Sequence, residues 1–133
     1  MRKNKLLFVL VVMLGILFLN TCSFASEITP YADTEFDSAT PSLLSSESVK
    51  FTASTYDTKA SISVTACWLE TYMNGSWIKV CNLTPPSHVA TNTFYYSKTV
   101  SYASQIGSGT FRVWATFNAD GHEITRCSNE RTF

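Results

Sequence analysis

Histidine is scarce in this chain: His88 and His122 are the only two among 133 residues. Two histidines with scattered acids do not make a metal site, and no cofactor is implied. His122-Glu123-Ile124-Thr125-Arg126 starts like the zinc-protease helix motif. It has Arg126 where the second histidine belongs, and its surroundings read as a strand. Each histidine reads as a solvated loop residue. Charge is also sparse, at 15% of residues. Three of the ten basic residues, Arg2, Lys3 and Lys5, stand at the extreme N-terminus, and no basic run occurs after residue 25. Nucleic acid and anionic membrane surfaces are therefore poor partners.

The usual catalytic patterns are missing too. Gly107-Ser108-Gly109 lacks the glycine spacing and the strand-turn-helix setting of a nucleophile elbow. No Gly-Lys-Ser/Thr follows it, so it is not a phosphate loop. It reads as a corner between strands. Glu70, the acid best placed among aromatics, is explained by pairing with Lys79 rather than by a second carboxylate across a cleft. These absences lead to the expectation of a non-enzymatic protein.

The N-terminus reads as a secretory leader. Arg2, Lys3 and Lys5 precede an apolar run from Leu6 to Leu19, and Ser23-Phe24-Ala25 offers small residues at the cleavage positions. Cleavage after Ala25 makes residues 1–25 the signal peptide and leaves one domain's worth of chain. The run is short for a membrane span, and no positive cluster follows it. No span is expected after cleavage. Lipid anchoring at Cys22 fits poorly, because Leu19-Asn20-Thr21 lacks the small residues that usually precede a lipoprotein cysteine. The expected location is secreted and extracellular.

Residues 26–47 read as a polar linker with a possible edge strand at Leu43-Leu44, and residues 48–133 as one β domain. Val49, Phe51, Ala53 and Thr55 alternate with polar residues, and Asp57-Thr58-Lys59 reads as a turn. Ile62, Val64, Ala66 and Trp68 then continue in one phase. Pro85-Pro86 interrupts the ladder pattern. Phe111, Val113, Ala115 and Phe117 line one face of the cleanest strand, with Arg112, Trp114 and Thr116 on the other. Asp120-Gly121 marks a hairpin turn. Six to seven short strands without helical periodicity predict an all-β, antiparallel, immunoglobulin-like β-sandwich.

The central feature is the hairpin over Thr65 to Asn82, turning at Asn74-Gly75, whose residues tolerate the positive φ of a type I′ turn. A two-residue turn sets Tyr72 opposite Trp77, Glu70 opposite Lys79 and Trp68 opposite Cys81. It sets Thr71 opposite Ile78 and Leu69 opposite Val80, with Leu69, Ile78 and Val80 turned inward. Trp68 nevertheless shares parity with Ile62 and Val64. Either a bulge between about Ala66 and Leu69 switches the phase, or Trp68 is a buried strand tryptophan. Cys67, Cys81 and Cys127 remain after the leader. A Cys67–Cys81 disulfide is one option, a bridge from either to Cys127 another, and three unpaired buried thiols a third.

Leu69-Glu70-Thr71-Tyr72-Met73-Asn74-Gly75-Ser76-Trp77-Ile78-Lys79-Val80 resembles the hairpin of small secreted Gram-positive bacterial β-sandwich proteins of unknown function. Gly107-Ser108-Gly109-Thr110-Phe111-Arg112-Val113 is similar to their second landmark, with Phe111 where tyrosine is usual. Glu27-Ile28-Thr29-Pro30-Tyr31 is similar to their start after cleavage. The resemblance implies an immunoglobulin- or fibronectin-III-like sandwich and an exporting Gram-positive cell. It supplies no catalytic residues.

One surface suggests a function. Trp68, Tyr72 and Trp77 share the outward face in the favoured register, and Trp114 is outward on the strand expected beside them. Such a platform suits an unknown extracellular protein or cell-wall partner, or alternatively the ring of a glycan.

Overall fold

The structure, a computed structural model, describes residues 33–133. The expected leader and residues 26–32 lie outside them. Seven strands follow in order: β1 (Phe36–Leu43), β2 (Ser48–Met73), β3 (Ser76–Leu83), β4 (Ala90–Ser101), β5 (Thr110–Ala119), β6 (His122–Cys127) and β7 (Arg131–Thr132). All pairings are antiparallel, and the described residues contain no helix. No helix among them could cross a membrane.

β2 is the spine, and the other strands are arranged along its two edges. β1 pairs with its first part and β5 with its last. β4 and β3 occupy the opposite edge in the same sequence, since Ile62 pairs with Ala90 on one side and Ala119 on the other. β6 and β7 extend the sheet beyond β5. All seven strands thus belong to one continuous hydrogen-bonded sheet.

That sheet curls because its spine is irregular. β2 slips against β4 between Ser54 and Lys59 and bulges against β5 between Val64 and Ala66. Extra residues in one strand bend it and increase its twist. The result is a curled half-barrel in which β1 packs against β5 and β6 without pairing to them. The core lies inside the curl, with Leu43, Val49, Phe51, Ile62, Leu69, Tyr96, Val113 and Phe117 fully buried.

Several local expectations change. Asp57-Thr58-Lys59 is not a turn, because β2 runs through it. The supposed linker contains the whole of β1, in which Phe36, Ala39, Pro41 and Leu43 are buried. A register shift between Phe36 and Ser38 hides the alternation. Pro41 looks like a breaker, but β1 pairs only with β2, and an edge strand tolerates a missing N–H. The phase conflict in β2 is resolved by the bulge at Val64/Ala66. Val64 and Cys67 point in, while Thr65 and Ala66 are exposed.

Both hairpin turns form as expected. Asn74 and Gly75 have φ of 52° and 82°, and Asp120 and Gly121 have 49° and 92°. From the first turn, Tyr72 faces Trp77, Thr71 faces Ile78 and Glu70 faces Lys79. A bulge then inserts one residue, so Leu69 faces Cys81 and Trp68 faces Asn82. Ile78 and Val80 are 47% and 48% exposed rather than inward in the core, because β3 is a sheet edge. Cys67, Cys81 and Cys127 are all free thiols, so the Cys67–Cys81 bridge is absent. Cys67 instead lies 3.6 Å from the Leu83 carbonyl oxygen and 3.8 Å from the Tyr102 hydroxyl. Burial pushes its thiol pKa up.

Candidate functional site

The outer face of β3, β2 and β5 gathers the sequence-predicted aromatics. Pairing of β2 with β5 sets Trp68 directly opposite Trp114. Their rings stack at 5.8 Å between centroids and 9° between planes. Tyr72 and Trp77 meet across the hairpin at 5.2 Å, tilted by 58°. The four residues therefore share a face, but as two pairs with different surroundings.

Glu70 stands between the pairs and organises them. Its carboxylate accepts from Arg112 Nε at 2.7 Å, Trp114 Nε1 at 2.9 Å and Trp68 Nε1 at 3.3 Å. Partial burial pushes its pKa up, but these donors outweigh burial and hold it below the usual carboxylate value. Lys79, the partner expected from the hairpin, is opposite Glu70 in the ladder yet sends its ammonium over Trp68, 5.4 Å from the ring centroid. The ion pair goes to Arg112 because guanidinium offers a rigid, directional donor to a carboxylate already holding two indoles.

Arg112 serves both pairs. Its guanidinium carbon lies 4.2 Å from the Trp77 ring centroid and 5.4 Å from that of Trp114. Cation–π attraction over tryptophan contributes roughly 0.5–2 kcal/mol. The Trp68–Trp114 end is thus internally satisfied: each indole N–H has Glu70, each ring has the other, and a cation lies near each. The Tyr72–Trp77 end is open. Tyr72 is 48% exposed, and among the described residues the Trp77 N–H has no hydrogen-bond acceptor.

Beside that open end is a shallow groove of about 500 Å³. Tyr72 and Trp77 form one side, and Thr110, Glu130, Arg131 and Thr132 the rest. Thr110 and Thr132 hydroxyls bond each other at 2.8 Å across β5 and β7. Arg131 donates to the carbonyl oxygens of Leu43 and Leu44, which ties β7 to the β1 end. The sequence reading missed Glu70's true partner and the whole C-terminal side of the groove. Arg112 carried a signal, since it alternates outward beside Trp114. Glu130 and Arg131 carried none, because only the pairing of β7 with β5 brings them here.

The histidines separate from this site. His122 is no loop residue: it opens β6, and its Nε2 lies 3.0 Å from Asp33 Oδ2 and its ring 6.1 Å from that of Phe36. Asp33 also accepts from the backbone N–H groups of Glu35 and Phe36. Although partial burial raises its pKa, His122 and these amides pull it down to about 2. His88 sits in the loop before β4, with its ring 5.5 Å from Tyr96. Compared with protein families, curated proteins and solved structures, the chain matches no family model, no curated protein and no solved structure.

Proposed function

We propose that this chain is a secreted, non-enzymatic binding module with an immunoglobulin-like sandwich relationship, engaging a cell-wall component or an extracellular protein through the outer face of β3, β2 and β5. The observation that carries the reading is the Glu70 hub. Three tryptophans, a tyrosine and an arginine are held in fixed geometry on the solvent side of a sheet whose core lies on the other side. Rigid, half-exposed aromatics next to arginine are the composition that binding surfaces favour. The leader-like N-terminus and the lack of a catalytic motif support the extracellular, non-enzymatic part.

Cosedimentation with isolated bacterial cell walls, native and protease-stripped, tests it. The protein is expected in the pellet, and a Tyr72→Ala/Trp77→Ala double variant in the supernatant. Absence of the unaltered protein from both pellets would sink the reading. A carbohydrate ligand is the alternative within this function, favoured by the mixed aromatic and polar lining of the groove.

A further inference from the structure

We infer that the groove at the open end, and not the whole aromatic face, is a saccharide subsite: it takes a neutral sugar ring against Tyr72 and Trp77, with Glu130 accepting from the sugar's hydroxyls. This rests on the binding-module reading and narrows it to one site and one ligand class.

Three observations point the same way. The first is which aromatic groups are free. Trp68 and Trp114 spend their N–H donors on Glu70 and stack on each other. Trp77 keeps its donor, and Tyr72 keeps nearly half its surface. A pyranose ring needs an apolar plate for its C–H face and polar groups around its rim, and aromatic side chains with a polar tip supply both. The second is the groove itself, whose about 500 Å³ falls in the range of small-ligand sites.

The third is charge. The two arginines near the groove are engaged. Arg131 is tied to the Leu43 and Leu44 carbonyls, and Arg112 to Glu70. Among the described residues, Glu130 has no hydrogen-bond or ion-pair partner, and the carbonyls that occupy the Arg131 donors do not neutralise its charge, so Glu130 and Arg131 balance and the groove lining carries no net charge. That gives sulfated or uronic polymers no net attraction. A cationic ligand is disfavoured in turn, because Arg112 already lies over Trp77. A neutral, hydroxyl-rich ring satisfies both conditions. Its hydroxyls donate to the Glu130 carboxylate in charge-assisted bonds.

The three indole N–H groups make the test direct. Isotope-labelled protein is titrated with soluble cello-, chito- and xylo-oligosaccharides while the indole resonances are followed, with Trp77→Phe identifying the Trp77 signal. With at least one oligosaccharide the Trp77 resonance is expected to shift, while those of Trp68 and Trp114 stay in place. Glu130→Gln is expected to weaken binding about tenfold, as loss of a charge-assisted hydrogen bond does. Equal movement of Trp68 or Trp114 would overturn the assignment to the groove. A Trp77 signal unmoved by every saccharide would overturn it too. If the protein still sediments with cell walls in that case, the binding-module reading stands without the saccharide site. If it does not, both fall.

Discussion

Trp68 with Trp114, and Tyr72 with Trp77, stand on one face of one sheet, and only their neighbours distinguish them. The first pair is parallel, stacked and bonded through both indole nitrogens to Glu70. The second pair is tilted, exposed at the tyrosine and bordered by a groove. The difference shows that an outward-facing aromatic is not by that fact a binding residue. A hub that absorbs the polar edge of an indole turns it into a structural brace. An indole left outside the hub keeps its donor for something else.

Removing the hub should have the largest effect. Glu70→Ala deletes three hydrogen bonds to an ionised carboxylate, one of them from a cation, and leaves Arg112 unpaired. A cost of about 2 kcal/mol is expected, allowing for solvent screening at a half-buried site. Urea denaturation measures it, and a loss below about 0.5 kcal/mol would mean that the hub does not hold the face together. Trp114→Ala comes next. It removes a half-buried ring and strips a donor from Glu70, for about 2 kcal/mol or slightly less. Trp77→Ala should cost only about 1 kcal/mol, because it breaks a tilted aromatic contact and a cation–π contact but no hydrogen bond. If Trp77→Ala destabilised as much as Trp114→Ala, the contrast between brace and open end would fail.

Acid should then act on a different joint. Asp33 falls from 3.8 to about 2 on folding, mainly through His122 and two backbone amides working against burial. A depressed carboxylate pKa stabilises the fold above the unfolded value, and that stability is lost as pH falls through the folded value. Stability should therefore decline between pH 3.8 and about 2, and less steeply in Asp33→Asn. Equal slopes in the two proteins would show that the Asp33–His122 contact does not contribute. The smallest effect is on thiol labelling. Cys67 is 3% exposed, so it should resist alkylation in the native state while the half-buried Cys81 and Cys127 react.

Much of the local structure was legible in the residues. Asn74-Gly75 and Asp120-Gly121 specify their turns because few residue types accept positive φ at both positions. Tyr72 opposite Trp77 followed from turn length, and Trp114 on the outward face of its strand from alternation; that Trp114 stands directly opposite Trp68 came only from the pairing of β2 with β5. β1 was not legible, since its bulge broke the alternation and Pro41 imitated a terminator. Nor was the pairing of Leu69 with Cys81, because the bulge at Val80 leaves no local mark. The inward turn expected of Ile78 and Val80 failed for a related reason: alternation says which side of a strand a residue takes, not whether anything covers that side.

By itself, the sequence determined the antiparallel β character, the two type I′ turns and the presence of aromatics on one strand face. Local φ preferences and a two-residue period are enough for those. Only the tertiary structure decided that β2 would be a single 26-residue spine with strands along both edges. It alone gave Glu70 to Arg112 instead of Lys79, and it alone brought Glu130 from the C-terminus to the side of Tyr72 and Trp77. Those outcomes depend on register between strands far apart in the chain. Register is set by the bulges and by burial of the core, not by any short stretch of residues.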